Sequence, residues 1–230
     1  MKSKVAPAFD ASFLNSSDVA YQTVDYERNE VLFSQGDVCE HIIYIQEGSV
    51  KVSVRSRPGQ QVAVIAMLGP GDFVGEACLA KQPVRIGTAI AMTRTRILRV
   101  HQDEMINVLN KQAALSNRFL RYVLARNTRI EQDLIDQLLN PSEKRLARAL
   151  LLLAHLGNRA ASKRVVPHIT QQTLAEMVGT TRPRISFFIN KFKKLGFLAV
   201  NTDGGLTINQ SLQSVLRNDA MTERTSKIAS

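Results

Sequence analysis

The chain has 230 residues, 44% of them hydrophobic and 22% charged, and a formal net charge of +10 at neutral pH. That length suits one large or two modest domains, and the composition excludes a disordered or fibrous chain. No apolar run approaches the ~18–20 residues that span a bilayer, and the first residues lack a secretory pattern, so a cytoplasmic protein without a membrane partner is expected.

The charge is unevenly placed. Residues 140–230 hold 14 Lys and Arg against 5 Asp and Glu, whereas residues 1–139 hold 16 against 15. A basic module beside a neutral one is the electrostatic footprint of polyanion binding, most often to nucleic acid. Two cysteines, Cys39 and Cys78, are too few for a zinc or iron–sulfur site and read as buried thiols.

Residues 1–25 show little periodicity and read as an arm with a short helix. From Val31 to Val100 the pattern is short β-type runs between glycines and prolines. "HIIYI" (41–45) leads to a turn at Glu47-Gly48, and "SVKVSVR" (49–55) alternates with period two. "RPGQ" (57–60) turns the chain into "QVAVIAML" (61–68), and "GPGD" (69–72) turns it again before "IGTAIAM" (86–92) and "RILRV" (96–100). Short strands at this spacing predict an antiparallel sandwich or jelly roll.

Helical periodicity takes over after about residue 102. Leu120, Val123, Asn127, Ile130 and Leu134 step by three and four, a heptad seam that predicts pairing with a second copy, with polar Asn127 fixing register. "NPSEKRLARALLLLAHLG" (140–157) restarts the pattern: Asn140 can cap, Pro141 suits the first helical position and Gly157 can terminate. This break is taken as a domain boundary and a hinge.

"ITQQTLAEMVGTTRPRISFFINKFKKLGFL" (169–198) predicts two helices around Gly179. Thr170 caps the first, which buries Leu174, Ala175 and Val178. Thr180 or Thr181 caps the second, whose first turn accepts Pro183 because the amide there needs no intrahelical partner. With Ile185, Phe188, Ile189 and Phe192 inward, Arg182, Arg184, Ser186, Phe187 and Asn190 face out. That arrangement is a helix-turn-helix whose second helix enters the major groove. Arg182 suits guanine and Phe187 a thymine methyl. Thr170, Gln171, Thr181, Lys191, Lys193 and Lys194 suit phosphates. "GFLAVNTDGGLTI" (196–208) reads as the two-stranded wing.

Taken together, residues 25–210 resemble the Crp/Fnr family of bacterial transcription regulators, on "EHIIYIQEGSVKVSV", "GPGDFVGEACL" and 169–198. The resemblance implies an α+β chain: an N-terminal antiparallel jelly roll like cyclic-nucleotide-binding domains (1–110), a dimerisation helix (111–139) and a C-terminal winged helix-turn-helix domain (140–230). It implies a non-enzymatic, allosteric homodimer that regulates transcription from a near-palindromic site on double-stranded DNA, with RNA polymerase as a further partner. It also implies a pocket in which Gly75 and Glu76 hold a ribose and Arg85 an anion.

Two departures bear on the ligand and one on the operator. Ile86 stands where cyclic-nucleotide binders have serine, leaving Thr88 as substitute, and Ile130 and Glu131 stand where hydroxyls meet the purine. Cyclic AMP is therefore not the expected effector; no cofactor or metal is expected beyond a small anion of unidentified chemistry. Pro183 occupies the family's glutamate position, so guanine readout by Arg182 is expected to persist without the cytosine preference. The alternatives are a constitutive regulator with a vestigial pocket, and a cyclic-nucleotide-binding module contacting protein or RNA. No catalytic triad, phosphate loop or paired-histidine motif supports an enzyme.

Overall fold

The computed structural model describes residues 19–56, 62–157, 164–166, 169–200 and 205–217. The arm up to residue 18 and the turns at 57–60 and 201–204 lie outside them. The chain divides into two compact units, residues 1–134 and 135–230.

The first unit is a sandwich of two four-stranded antiparallel sheets. One sheet has the order β1 (Tyr21–Tyr26), β8 (Thr95–His101), β3 (His41–Glu47), β6 (Phe73–Val74). The other has the order β2 (Val31–Phe33), β7 (Thr88–Ala91), β4 (Val50–Arg55), β5 (Val62–Leu68). The unbroken apolar run of β3 follows from burial on both faces. Ile43 and Ile45 join Val50, Val52, Leu68, Ala89 and Ile97 between the sheets. Ile42 and Tyr44 face the other way, into a second core with Phe73, Leu98 and Val100. β1 was not foreseen: it matches β8 in register from Tyr21↔Val100 to Tyr26↔Thr95, but only Val24 and Tyr26 alternate toward the core, too short a run to reveal it.

Two helices complete the second core. α1 (Gln102–Lys111) contributes Met105 and Val108, and α2 (Ala113–Leu139) contributes Leu115 and Tyr122. Phe73, 1% exposed, lies edge-on to Tyr44, Phe119 and Tyr122 with ring centres 5.1–5.4 Å apart. Burying such a ring contributes on the order of 2–3 kcal/mol, so this cluster is what fastens α2 to the sandwich.

In the second unit α3 (Ser142–Gly157) supports α4 (Gln171–Val178) and α5 (Arg182–Lys194). The wing is a three-stranded sheet in the order β10 (Leu198–Val200), β11 (Leu206–Ile208), β9 (Arg164–Val166). The expected wing strands 10 and 11 are present; β9 is the addition. A short helix, α6 (Ser214–Arg217), follows.

The last turn of α2 belongs to this unit, for a visible reason. Buried Asp136 pairs with Arg148 of α3 and accepts a hydrogen bond from Asn140 Nδ2 at 2.7 Å. The Gln137 carbonyl accepts from Arg145 at 2.7 Å. Asn140, expected to cap α3, spends its amide on Asp136 instead, while the Pro141 carbonyl accepts the first helical bond, from Arg145 N–H at 3.1 Å.

Candidate nucleic-acid interface and effector pocket

The helix-turn-helix is set by local chemistry. Thr170 caps α4 by accepting a hydrogen bond from Thr173 N–H at 3.0 Å. Gly179 ends α4 in the left-handed region (φ +66°), a conformation that favours glycine and turns the chain sharply into α5. Thr181 precedes α5 in an extended conformation, and its hydroxyl makes no capping bond. Pro183 lies in the first turn and costs no helical hydrogen bond.

Ile185, Phe188, Ile189 and Phe192 are all buried. Their burial orients α5, and Thr181, Arg182, Pro183, Arg184, Phe187 and Asn190 are exposed as a consequence, with Ser186 half-buried. Arg184 is braced over the Phe188 ring, 5.8 Å from its centre. Thr170 is exposed at the start of α4 and Gln171 half-buried beside it. Lys191, Lys193 and Lys194 are exposed, and Lys191 Nζ pairs with Glu143 of α3 at 2.8 Å. That pair ties α5 to its support, and a charge count could not show it because the acid lies 48 residues away.

Around the expected pocket the geometry differs from an open anion cradle. Arg85 is 6% exposed and turned onto the backbone. It donates to the His41 carbonyl at 2.7 Å and the Gly75 carbonyl at 3.3 Å, and its guanidinium carbon sits 4.3 Å from the Phe33 ring centre. Its Nε is buried without a hydrogen-bond partner among the described residues. Gly75 has φ +80°, and a Cβ there would lie 2.0 Å from Arg85 Nη1, so the guanidinium fills the space that the glycine leaves. Glu76 pairs with Arg126 of α2 at 3.2 Å rather than with Arg85.

Arg126 also donates to Tyr122 Oη at 3.3 Å and to the Phe73 carbonyl, while Phe73 N–H donates to Tyr122 Oη at 2.8 Å. Burial pushes the Tyr122 phenol above its ordinary pKa. Sequence reading missed Arg126; its only cue was its place one helical turn beyond Tyr122. Thr88 Oγ1 accepts from Gln35 N–H at 3.0 Å, and Ile86 is exposed. A cavity of about 140 Å³, lined by Tyr26, Leu32, Phe33, His41, Arg85 and Arg99 among others, lies beside Arg85. That is below the ~300 Å³ at which pockets for drug-sized ligands begin.

The fold also brings the two cysteines into one core. Burial, with neighbouring Cys39 adding to it, pushes the Cys78 thiol up to about 12. That holds Cys78 as a thiol at neutral pH, and both cysteines are buried. Among the described residues, no cluster of metal-ligating side chains occurs and no helix is long and apolar enough to cross a membrane.

On α2, Leu120, Asn127, Ile130 and Leu134 are exposed as the seam requires. Val123 is not: it is half-buried against the sandwich core. Leu124 is exposed instead, so within the first unit the exposed line runs Leu120, Leu124, Asn127, Glu131, Leu134, apolar but for Asn127 and Glu131, with Ile130 beside it. Asn127 Nδ2 donates to Glu131 Oε1 at 2.9 Å within that line.

Residues 23–112 match the cyclic nucleotide-binding domain family, and residues 144–211 match the Crp-like helix-turn-helix domain family. The chain is 26% identical over 179 residues to the CRP-like cAMP-activated global transcriptional regulator of Mycobacterium tuberculosis, covering 77% of this chain and 80% of that one. It is 28% identical over 198 residues to the cyclic AMP receptor protein of Thermus thermophilus, covering 84% and 88%. The fold is similar to that of FixK2 from Bradyrhizobium japonicum, with a TM-score of 0.74 at 15% identity over 87% of this chain and 98% of that one.

Proposed function

Because the chain belongs to the Crp/Fnr family of transcription regulators and carries that family's DNA-binding domain, we propose that it works as a homodimer that grips a near-palindromic operator. Each protomer inserts α5 into the major groove, with Arg182 presenting its planar fork to guanine O6 and N7. Two copies pair along the exposed apolar line of α2. At ~1.5 Å per residue that helix is about 40 Å long, enough for a stable two-stranded seam. Symmetry then sets the half-sites about one helical turn, ~34 Å, apart.

The observation that carries this reading is the composition of the exposed face of α5. From Gly179 to Phe197 the sequence holds five cations and no acid, and Arg182 and Arg184 are exposed, with no carboxylate partner among the described residues. Selecting bound duplexes from a random pool tests it. A recovered two-fold symmetric sequence with a guanine at a fixed place in each half supports the reading, and failure to enrich any sequence refutes it. We further propose that the first unit senses a small molecule, and that this ligand works by favouring one arrangement of the two α5 helices over another.

A second reading is favoured by Arg85 and Glu76. Both charged groups expected to hold a ligand, Glu76 its ribose and Arg85 its anion, are already engaged by the protein, Arg85 by carbonyls and Glu76 by Arg126. A regulator built this way binds its operator without an effector. Repeating the selection with and without cell metabolites separates the two: unchanged enrichment supports the constitutive regulator.

A further inference from the structure

Reading guanine with Arg182 leaves the middle of the exposed face of α5 unexplained. At ~100° per residue, the positions opposite buried Ile185, Phe188, Ile189 and Phe192 are Pro183, Phe187, Asn190 and Lys194. All four are exposed, Phe187 to 64%. Pro183 and Phe187 are i and i+4, hence neighbours about 5–6 Å apart on one ridge. The leading half of the face that would meet base edges is therefore apolar, with Arg182 to one side and Arg184 to the other.

The Phe187 ring is not a loose appendage. It packs edge-on against Phe188, with ring centres 5.6 Å apart and planes at 66°, and Phe188 is itself buried. A braced apolar ridge between two arginines cannot exchange hydrogen bonds with a base edge, because neither side chain donates or accepts. In the major groove the apolar group that an unmodified base pair presents is the C5 methyl of thymine.

We propose that Pro183 and Phe187 form a methyl-reading ridge, so that each half-site places a thymine against Phe187 near the guanine read by Arg182. The two readers are five positions apart, about 7.5 Å along the helix. At ~3.4 Å per base step this sets the thymine about two steps from the guanine. The inference rests on the operator-binding reading and adds to it the second base and the chemical group by which it is read.

Deoxyuridine supplies the test, since it differs from deoxythymidine only in lacking that methyl. The full-length protein is titrated with a selected duplex and with versions in which single thymines become deoxyuridine. Wild type should lose about fourfold in affinity at one position per half-site, the worth of one buried methyl group. Phe187→Ala should bind the thymine duplex more weakly and be indifferent to the exchange, whereas Phe187→Leu should keep part of the sensitivity. Phe187 is exposed, so thermal melting of both variants should match wild type. Equal binding of every deoxyuridine duplex, or a Phe187→Ala protein that still senses the exchange, overturns the proposal while leaving the operator reading intact. Absence of any preferred duplex removes both.

Discussion

On α5, Arg182, Arg184, Phe187 and Asn190 are exposed on the back of four buried apolar residues. In the segment after β6, Arg85 is 6% exposed and spent on two carbonyls, and Glu76 is spent on Arg126. Both regions carry family motifs, yet one holds its polar groups free and the other holds them engaged. A surface helix that must meet an external polyanion keeps its donors in water, where exposure costs little. A cradle inside a sandwich cannot leave a guanidinium or carboxylate unpaired, so the protein's own groups satisfy them.

The largest expected effect breaks the free side of this comparison. Arg182→Ala should reduce preference for a selected duplex by about 5–150-fold, the 1–3 kcal/mol of a bidentate guanine contact, with little change on scrambled DNA. Paired binding titrations on the two duplexes measure it. A nearly uniform loss on both would make Arg182 a phosphate contact.

The engaged side should break as a stability defect. Arg126→Ala removes the Glu76 ion pair and the bonds to Tyr122 and Phe73, leaving a half-buried carboxylate alone. About 2–4 kcal/mol of unfolding free energy should disappear in urea titrations. Gly75→Ala should cost about 1–3 kcal/mol, from the positive φ and from the clash with Arg85. In an Arg85→Ala background the clash vanishes and the backbone cost remains, so a double-mutant cycle should show a coupling of about 1 kcal/mol. Strict additivity would mean that the guanidinium does not sit over Gly75.

The smallest effect concerns pH. His41 has a depressed pKa, chiefly from burial and then from Arg99 and His101. Its folded form resists a proton that the unfolded chain takes up as pH falls through ~6.5. Stability should therefore decline below about pH 6.5 until the folded imidazole also titrates, and His41→Gln should flatten that part of a melting-temperature profile. An unchanged slope would assign the acid sensitivity elsewhere.

What the sequence made legible follows the same division. Ile185, Phe188, Ile189 and Phe192 were readable as the inward face of α5 because helical period is local, and the strand runs of β3, β4, β5, β7 and β8 were readable because turns punctuate them. β1 and β9 were missed because pairing partners, not their own pattern, make them strands. The partners of Arg85, Glu76 and Lys191 were illegible for a related reason: each depends on a group 10 to 50 residues away that only the tertiary fold brings near. Val123 shows the limit within one helix, since a heptad count cannot say which of two adjacent apolar positions faces the chain's own core.

Sequence-specific capture of duplex DNA by paired copies of α5 is tested most directly by one competition titration. A selected duplex and a scrambled one are titrated against the protein over rising salt, with the bound stoichiometry read alongside. Both affinities should fall as phosphate contacts are screened, while a large preference for the selected duplex persists at two protomers per site. A preference that shrinks toward unity, or one protomer per site, would contradict it.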